Sequence, residues 1–279
     1  MTASLEPAVP SRLDTHRPPV ASGPRAAMHV LEHHILVYRR TFRGTLFTTF
    51  LSPVLFLSAM GLGLGSLVNR GNPQALGGVP YLIFLAPGLL VAQAMQTAAG
   101  ESMYPIVSGL VWMRTYQAMV AAPIRIIELV VGQTLWVTLR LTLTCGVFVV
   151  IMLLFGATNI WHGLAMLPIG VLTGLAFAAP IAAYSARQRK DNRFAAINRF
   201  LITPLFIFSG VFFPLSQLPV FLQPIAWLTP LWHGLDLVRA IQLDRLELSG
   251  LVVHLVVLIG WIVVGTALGA RSFRKALIK

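Results

Sequence analysis

Charged residues are scarce in this chain. They make up 11% of its 279 residues, and aspartate and glutamate together number nine, whereas 56% of the residues are hydrophobic. A soluble domain carries roughly 25% charged residues, because its surface must face water. The low charge therefore excludes an ordinary soluble domain and predicts an all-α polytopic membrane protein.

Cysteine occurs only once, as Cys145 inside an apolar run. A single cysteine excludes an intrachain disulfide and a thiolate metal cluster, and this one is expected to be a small packing residue. His29 and His33 lie four residues apart, but no carboxylate or cysteine in the pattern supports them as metal ligands. No metal site is predicted.

The basic residues do not indicate a nucleic-acid-binding protein, although the formal net charge is +12. They lie between long apolar runs, where the excess of arginine and lysine in cytoplasmic loops of membrane proteins accounts for them. No nucleic-acid partner is expected.

Sequence motifs of several enzyme classes are absent. The chain has no G-x-S-x-G, no H-E-x-x-H and no G-x-x-x-x-G-K-[ST], and none of its three lysines follows a glycine. Without a phosphate-binding loop the chain is not expected to hydrolyse nucleotide itself. If it transports actively, the energy must come from another source.

Six apolar runs approach the roughly 20 residues that a membrane-spanning helix needs. They cover residues 45–67, 81–107, 129–155, 164–184, 196–213 and 251–270. Residues 1–27 are rich in Pro, Ala, Ser and Arg and are expected to form a disordered tail, followed by a membrane domain over residues 28–279.

An interfacial helix is predicted between the tail and the first run, at residues 28–43. Its apolar face carries Leu31, Ile35, Tyr38 and Phe42, whereas the arginines lie largely off that face. Those arginines are Arg39, Arg40 and Arg43.

The distribution of basic residues predicts that both termini are cytoplasmic. The segments then placed inside contain Arg39, Arg40, Arg43, Arg114, Arg125, Arg187, Arg189, Lys190, Arg193, Arg199, Arg271, Arg274, Lys275 and Lys279. The opposite side has only Arg70, Arg239 and Arg245.

Two connections carry distinctive patterns. Four prolines, from Pro214 to Pro230 inclusive, interrupt an apolar, aromatic stretch after the fifth run, which predicts short re-entrant helices in the outer leaflet. The bridging segment, residues 112–128, joins the second and third runs and is predicted to be an amphipathic helix at the cytoplasmic membrane surface.

In the bridging segment, helical spacing puts four residues on one face and leaves Arg114, Gln117 and Arg125 off it. The residues on the face are Trp112, Tyr116, Met119 and Pro123. Two interpretations fit this pattern equally well: a helix that receives motion from a soluble partner, and an interfacial connector without a partner.

A few ionisable residues lie in or near the apolar runs, where charge is costly. Glu101 and Arg140 are expected either to pair across neighbouring helices or to contact a substrate. His254 is expected to be an interfacial histidine rather than a proton carrier.

Two motifs stand out in the apolar runs and their connections. The first comprises Glu101, Tyr104, Tyr116-Gln-Ala-Met-Val-Ala-Ala-Pro123, Glu128, Gly132 and Trp136. The second comprises Phe212-Phe-Pro, Leu218-Pro, Pro224 and Trp227-Leu-Thr-Pro-Leu-Trp-His-Gly-Leu-Asp-Leu-Val-Arg239. Both resemble motifs of ABC-2 type permeases, and the resemblance extends from about Met28 onward. The nearest branch looks like the exporters of nodulation lipo-oligosaccharide and of daunorubicin-type drugs.

The resemblance implies a half-transporter of a bacterial plasma membrane that pairs with a second permease chain, identical or paralogous, and with separate subunits that bind ATP and Mg²⁺. The chain itself is then expected to hold no cofactor. The bridging segment would be the coupling helix that contacts the ATPase, with Glu128 anchoring its return to the membrane. The residues implied in this contact are Arg114, Tyr116, Met119, Pro123 and Arg125, beside the helix that ends at Arg43.

The resemblance also implies that the first and fifth spans line the route of an amphipathic cargo. The residues implied are Phe56, Met60, Phe206 and Phe208. Substituting Arg114→Glu or Tyr116→Asp is then expected to uncouple ATP hydrolysis from export without removing the protein from the membrane.

Two alternatives stay open at the level of the sequence. A membrane-embedded lipid-modifying enzyme would depend on the Trp232-His-Gly-Leu-Asp236 stretch, which offers one His and one Asp without a nucleophile. A secondary transporter would normally show inverted repeats with matching broken helices, whereas only the region after the fifth run is broken. The cargo, whether lipo-oligosaccharide, glycolipid or hydrophobic drug, is not readable from the residues.

Overall fold

A computed structural model describes residues 23–71, 78–121, 124–190, 192–221 and 223–278. Within these ranges the chain is helical and contains no strand, so the predicted all-α class is confirmed. Most of the predicted tail lies outside the described residues, but the first helix already begins at Pro24, before the expected boundary at residue 28.

The predicted interfacial helix and the first span form one continuous helical rod. Helix α1 (Pro24–Phe56) passes through a π-helical stretch (Leu57–Leu64) into α2 (Gly65–Gly71). Leu31, Ile35 and Tyr38 pack against the protein core, whereas Phe42 is 41% exposed. The apolar face that was expected to meet lipid is therefore largely covered by protein, because it packs along the third predicted span.

Among the described residues, five helical segments are long and apolar enough to cross a membrane. They are Thr49–Arg70, Tyr81–Trp112, Ile126–Leu154, Ile160–Ser185 and Leu248–Leu277. The second combines α3 (Tyr81–Ser102), α4 (Tyr104–Val107) and a π-helical turn (Ser108–Trp112). The others include α6 (Ile126–Leu154), α7 (Ile160–Ser185) and α12 (Leu248–Leu277).

The fifth predicted span is helical but short. It consists of α8 (Asn192–Ile197), a π-helical turn (Asn198–Ile202) and α9 (Thr203–Phe208). This run is shorter than the roughly 20 residues of a straight span. The structure thus shows five helices of spanning length, and the sixth span stays a prediction.

The short helices expected after the fifth run are present. A 3₁₀ turn (Leu215–Gln217) precedes α10 (Gln223–Leu228) and α11 (Pro230–Gln242). Helix α11 packs against α3, α7 and α12. Its Gly234 faces Thr173 of α7 so closely that a β-carbon at this position would clash. Absence of a side chain therefore lets α11 enter the bundle.

Helices α3 and α7 lie at the centre of the bundle. Helix α3 packs against α6, α7 and α11, while α12 packs mainly on α7 and α1 on α6. By contrast, α1 and α12 keep exposed apolar side chains, such as Phe47 and Val263 at 67% and 60% exposure. Such faces suit lipid or another apolar protein surface.

The seam between α1 and α6 depends on the small residue Gly132. A β-carbon there would lie 2.5 Å from Val30 Cβ and 2.8 Å from the Ala27 carbonyl oxygen. The two helices can therefore approach this closely only where the side chain is absent.

We expect Gly132→Ala to destabilise the fold by about 1–3 kcal/mol through overpacking. The measurement is the drop in the thermal midpoint of the detergent-purified protein. Gly146→Ala on the same helix is the matched control, because the nearest atom, Leu167 Cδ1, is 4.0 Å away. An equal midpoint for both variants would contradict close packing at this seam.

Candidate functional site

The bridging segment is not one continuous helix. The second apolar segment ends at Trp112, Arg114 has a positive φ of 53°, and α5 (Thr115–Ala121) begins only after it. The prediction that Trp112 shares a helical face with Tyr116 and Met119 is therefore wrong, because the left-handed Arg114 separates the two helices. Pro123 lies outside the described residues.

Tyr116 is buried in the chain's own core. Its side chain is 1% exposed, its hydroxyl donates to Gln133 Oε1 at 3.1 Å, and its ring meets Phe273 edge-on at 5.7 Å. Burial raises the pKa of this phenol, which stays neutral at physiological pH. As a correction to the expected partner contact, Tyr116 anchors the bridging segment to α6 and α12, and Met119 packs against the same cluster.

Other residues of the bridging segment form its exposed surface. Trp112 is 55% exposed, Met113 74% and Ile127 51%, and Arg114 and Arg125 are exposed as well. We call these five residues the exposed bridge surface. Sequence reasoning found its two arginines but missed Met113 and Ile127, because a helical periodicity carried through Arg114 assigns the wrong faces.

Glu128 joins the start of α6 to the start of α1. Its Oε2 accepts the N–H of Arg125 at 2.8 Å, and its Oε1 accepts the N–H of Gly23 at 2.6 Å. Both backbone donors lie at helix beginnings, where N–H groups lack helical partners. A single carboxylate therefore ties the end of the bridging segment to the first helix.

Further along the same seam, Glu101 and Arg140 form an ion pair. Arg140 Nε donates to Glu101 Oε1 at 2.8 Å, and the two side chains are 7% and 19% exposed. Trp136 Nε1 donates to the other carboxylate oxygen at 3.1 Å, and Arg140 Nη1 donates to the Tyr38 hydroxyl at 2.9 Å. This network connects α1, α3 and α6, so the structure favours the pairing alternative over a free substrate contact.

The predicted interfacial residues thus separate into two groups. Tyr38 lies inside the seam, where the Arg140 guanidinium also covers its ring at 4.6 Å. Arg39, Arg40 and Arg43 are exposed. Nearby, His34 stacks on Trp136 at 5.6 Å, and burial together with the neighbouring His33 lowers the pKa of His34 to about 4.

A cavity lies where the first and fifth helical runs face each other. Its volume is about 440 Å³, and its lining residues are Phe56, Gln96, Gly100, Asn198, Ile202, Thr203 and Phe206. The rings of Phe56 and Phe206 lie 5.9 Å apart. The structure therefore brings together two of the four residues implied for the cargo route. Met60 instead packs against the core, and Phe208 is 46% exposed outside this lining.

The polar members of this lining were missed from the sequence. Gln96 and Asn198 interrupt apolar runs, and that interruption was the available signal. Together with the two phenylalanines they give the cavity both hydrogen-bonding and apolar surface, which suits an amphipathic ligand.

His254, expected from the sequence to be an interfacial histidine, contacts two side chains of α11. Its Nδ1 lies 2.8 Å from His233 Nδ1, and its Nε2 lies 3.1 Å from Asp236 Oδ2. Trp232 packs against both imidazoles. These contacts join α11 to α12. Among the residues that the structure describes, no group of three or more metal-binding side chains is arranged to hold an ion.

Comparison with known proteins decides the family. The model of the ABC-2 type transporter family matches residues 27–243. This chain belongs to the ABC-2 type transporter family. It is a multi-pass membrane protein and the permease subunit of an ABC exporter, and the family implies a separate ATP-binding partner subunit.

Among its relatives is Nodulation protein J. The protein of that name from Rhizobium leguminosarum bv. viciae is 30% identical over 250 residues, which cover 90% of this chain and 94% of the relative. The Nodulation protein J of Rhizobium meliloti (strain 1021) is 28% identical over 249 residues, covering 89% of this chain and 93% of the relative. The family and the branch expected from the two sequence motifs are thereby confirmed.

Proposed function

We propose that this ABC-2 permease moves an amphipathic lipo-oligosaccharide outward across a bacterial plasma membrane, driven by ATP hydrolysed on separate subunits that dock at the exposed bridge surface. Glycolipids and hydrophobic drugs are the other cargo classes that the resemblance implies. The proposal rests on the pattern of exposure along the bridging segment, where Trp112, Met113 and Arg114 are exposed and Tyr116 is buried.

This arrangement suits the transmission of force. An exposed aromatic and arginine surface is the kind that contributes most to protein–protein binding. Behind it, Tyr116 contacts Gln133 of α6 and Phe273 of α12, while Glu128 holds the start of α1. Movement of the docked subunit would therefore reach three helices through direct packing and hydrogen bonds.

The proposed topology has six spans and two cytoplasmic termini. The fifth span would be the short run from Asn192 to Phe208, with the prolines after it turning the chain back within the outer leaflet. The basic residues of the described loops support this orientation through their concentration on one side. The predicted interfacial segment then lies on the cytoplasmic side, beside the bridging segment.

A second permease chain, identical or paralogous, would complete the cargo route. The cavity beside Phe56 and Phe206 combines aromatic rings with the polar side chains of Gln96, Asn198 and Thr203. An amphiphile could place its sugar against the polar side chains and its acyl chain against the rings. The ATP and Mg²⁺ would be bound by the partner subunit and not by this chain.

The test is transport by purified components in proteoliposomes. We expect outward movement of a fluorescent lipo-oligosaccharide only when permease, ATP-binding subunit and Mg-ATP are all present, with inhibition by vanadate. A non-hydrolysable ATP analogue is the control. Movement by the permease alone would favour a secondary transporter, and chemical change of the lipid would favour an enzyme; either result would overturn the proposal.

A further inference from the structure

A basic cleft lies where the ends of α7 and α12 meet, apart from the bridge surface and the cargo cavity. Its volume is about 500 Å³, and it is lined by Arg187, Leu268, Arg271, Arg274, Lys275 and Ile278. Four of these six side chains are cationic. Within the described part of the chain, none of the four forms a salt bridge with a carboxylate.

The cleft is held in shape by contacts between the two helices. Arg187, just after α7, donates from Nε to Ser272 Oγ of α12 at 2.9 Å. Ser272 in turn donates to the Leu268 carbonyl oxygen at 2.8 Å and is 1% exposed. One guanidinium is thereby fixed beside the three exposed cations of α12.

The sequence of α12 continues the cleft toward the membrane. Positions 264, 268, 271, 275 and 278 follow helical spacing and lie on one face. Along this face Val264 and Leu268 are apolar and exposed at 58% and 38%, and Arg271 and Lys275 come next. An apolar stretch therefore leads directly into a cationic one at the end of a helix of membrane-spanning length.

This order of groups matches one class of ligand. Arginine and lysine bind phosphate through charge-assisted hydrogen bonds, and basic pockets between helices at a membrane surface bind anionic headgroups. A soluble anion would gain nothing from Val264 and Leu268, whereas an acyl chain packs on them. We propose that the cleft binds the phosphate headgroup of an anionic phospholipid whose acyl chain lies along α12.

The proposal depends on the proposed placement of this helix end at the membrane surface, but not on the direction of transport or the cargo. It is therefore tested without the ATPase. Purified permease in phosphatidylcholine nanodiscs is titrated with phosphatidylglycerol, and bound lipid is counted by native mass spectrometry after release into detergent.

The test variant is the triple substitution Arg271→Gln/Arg274→Gln/Lys275→Gln. We expect it to weaken phosphatidylglycerol binding at least tenfold. The matched control is Arg189→Gln/Lys190→Gln/Arg193→Gln, which removes the same charge from exposed residues after α7 and in the first turn of α8 and is expected to bind like the wild type. If the triple variant does not fold, Lys275→Gln alone is expected to weaken binding severalfold.

Three results would overturn the proposal. Equal loss in the two triple variants would show unspecific attraction to surface charge. Competition by inorganic phosphate as strong as by phosphatidylglycerol would indicate a soluble anion. Unchanged lipid binding together with lost retention of the ATP-binding subunit would make the cleft a protein-docking surface.

Discussion

Arg140→Met is expected to destabilise the permease by about 3–5 kcal/mol, because it leaves the Glu101 carboxylate charged and without its ion-pair partner. Glu101 is 19% exposed on its side chain and lies at the junction of α1, α3 and α6. The remaining donor, Trp136 Nε1, cannot neutralise the charge. The measurement is the thermal midpoint of detergent-purified protein, together with the amount recovered from membranes.

A double variant separates loss of the pair from loss of side-chain volume. Glu101→Gln/Arg140→Met removes both charges and keeps an amide acceptor for Trp136, so we expect it to regain most of the stability that Arg140→Met loses. Replacement of buried ion pairs by neutral residues is often tolerated. If Arg140→Met alone matched the wild type, the pair would not contribute to holding the three helices together.

The second large effect is expected at the exposed bridge surface. Combining Trp112→Ala with Arg114→Glu should abolish retention of the ATP-binding subunit and reduce ATP-dependent export at least tenfold, with the permease still folded in the membrane. Truncation of a central aromatic anchor commonly costs about 2 kcal/mol or more, and charge reversal adds repulsion. Co-purification and export are measured at matched membrane expression.

The control for this prediction comes from the buried side of the same segment. Tyr116→Asp would place a carboxylate where the side chain is 1% exposed. It should therefore reduce the amount of folded protein rather than uncouple ATP hydrolysis from export. Tyr116→Phe removes only the hydrogen bond to Gln133 and is expected to retain the ATPase. Retention and export equal to wild type in the Trp112/Arg114 variant would refute docking at this surface.

The sequence was sufficient where local chemistry decides the outcome. The predicted runs 129–155 and 164–184 match α6 and α7 closely, since a long, predominantly apolar stretch in a membrane must satisfy its backbone hydrogen bonds as a helix. The four prolines after the fifth run likewise limited that region to short helices, as α10 and α11 show. The two motifs pointed to the family that the comparison confirmed.

The sequence was insufficient where a single residue changes the register of a face. A helical wheel through residues 112–123 put Trp112 beside Tyr116, but the positive φ of Arg114 ends one helix and turns the next. The two side chains therefore lie in different environments, with Trp112 exposed and Tyr116 buried. The amphipathic segment 28–43 was likewise placed at the lipid surface, because periodicity reports an apolar face and not which surface covers it.

By itself, the sequence determined that this protein is a helical membrane permease without a nucleotide-binding motif, because hydropathy, run length and motif content depend only on the order of residues. Tertiary structure decided which polar groups meet. Glu101 contacts Arg140, which lies 39 residues away in the sequence, and His254 contacts His233, which lies 21 residues away. Arg187 donates to Ser272 of α12, which lies 85 residues away. Such contacts arise from helix packing, and the spacing within any one helix carries no information about them.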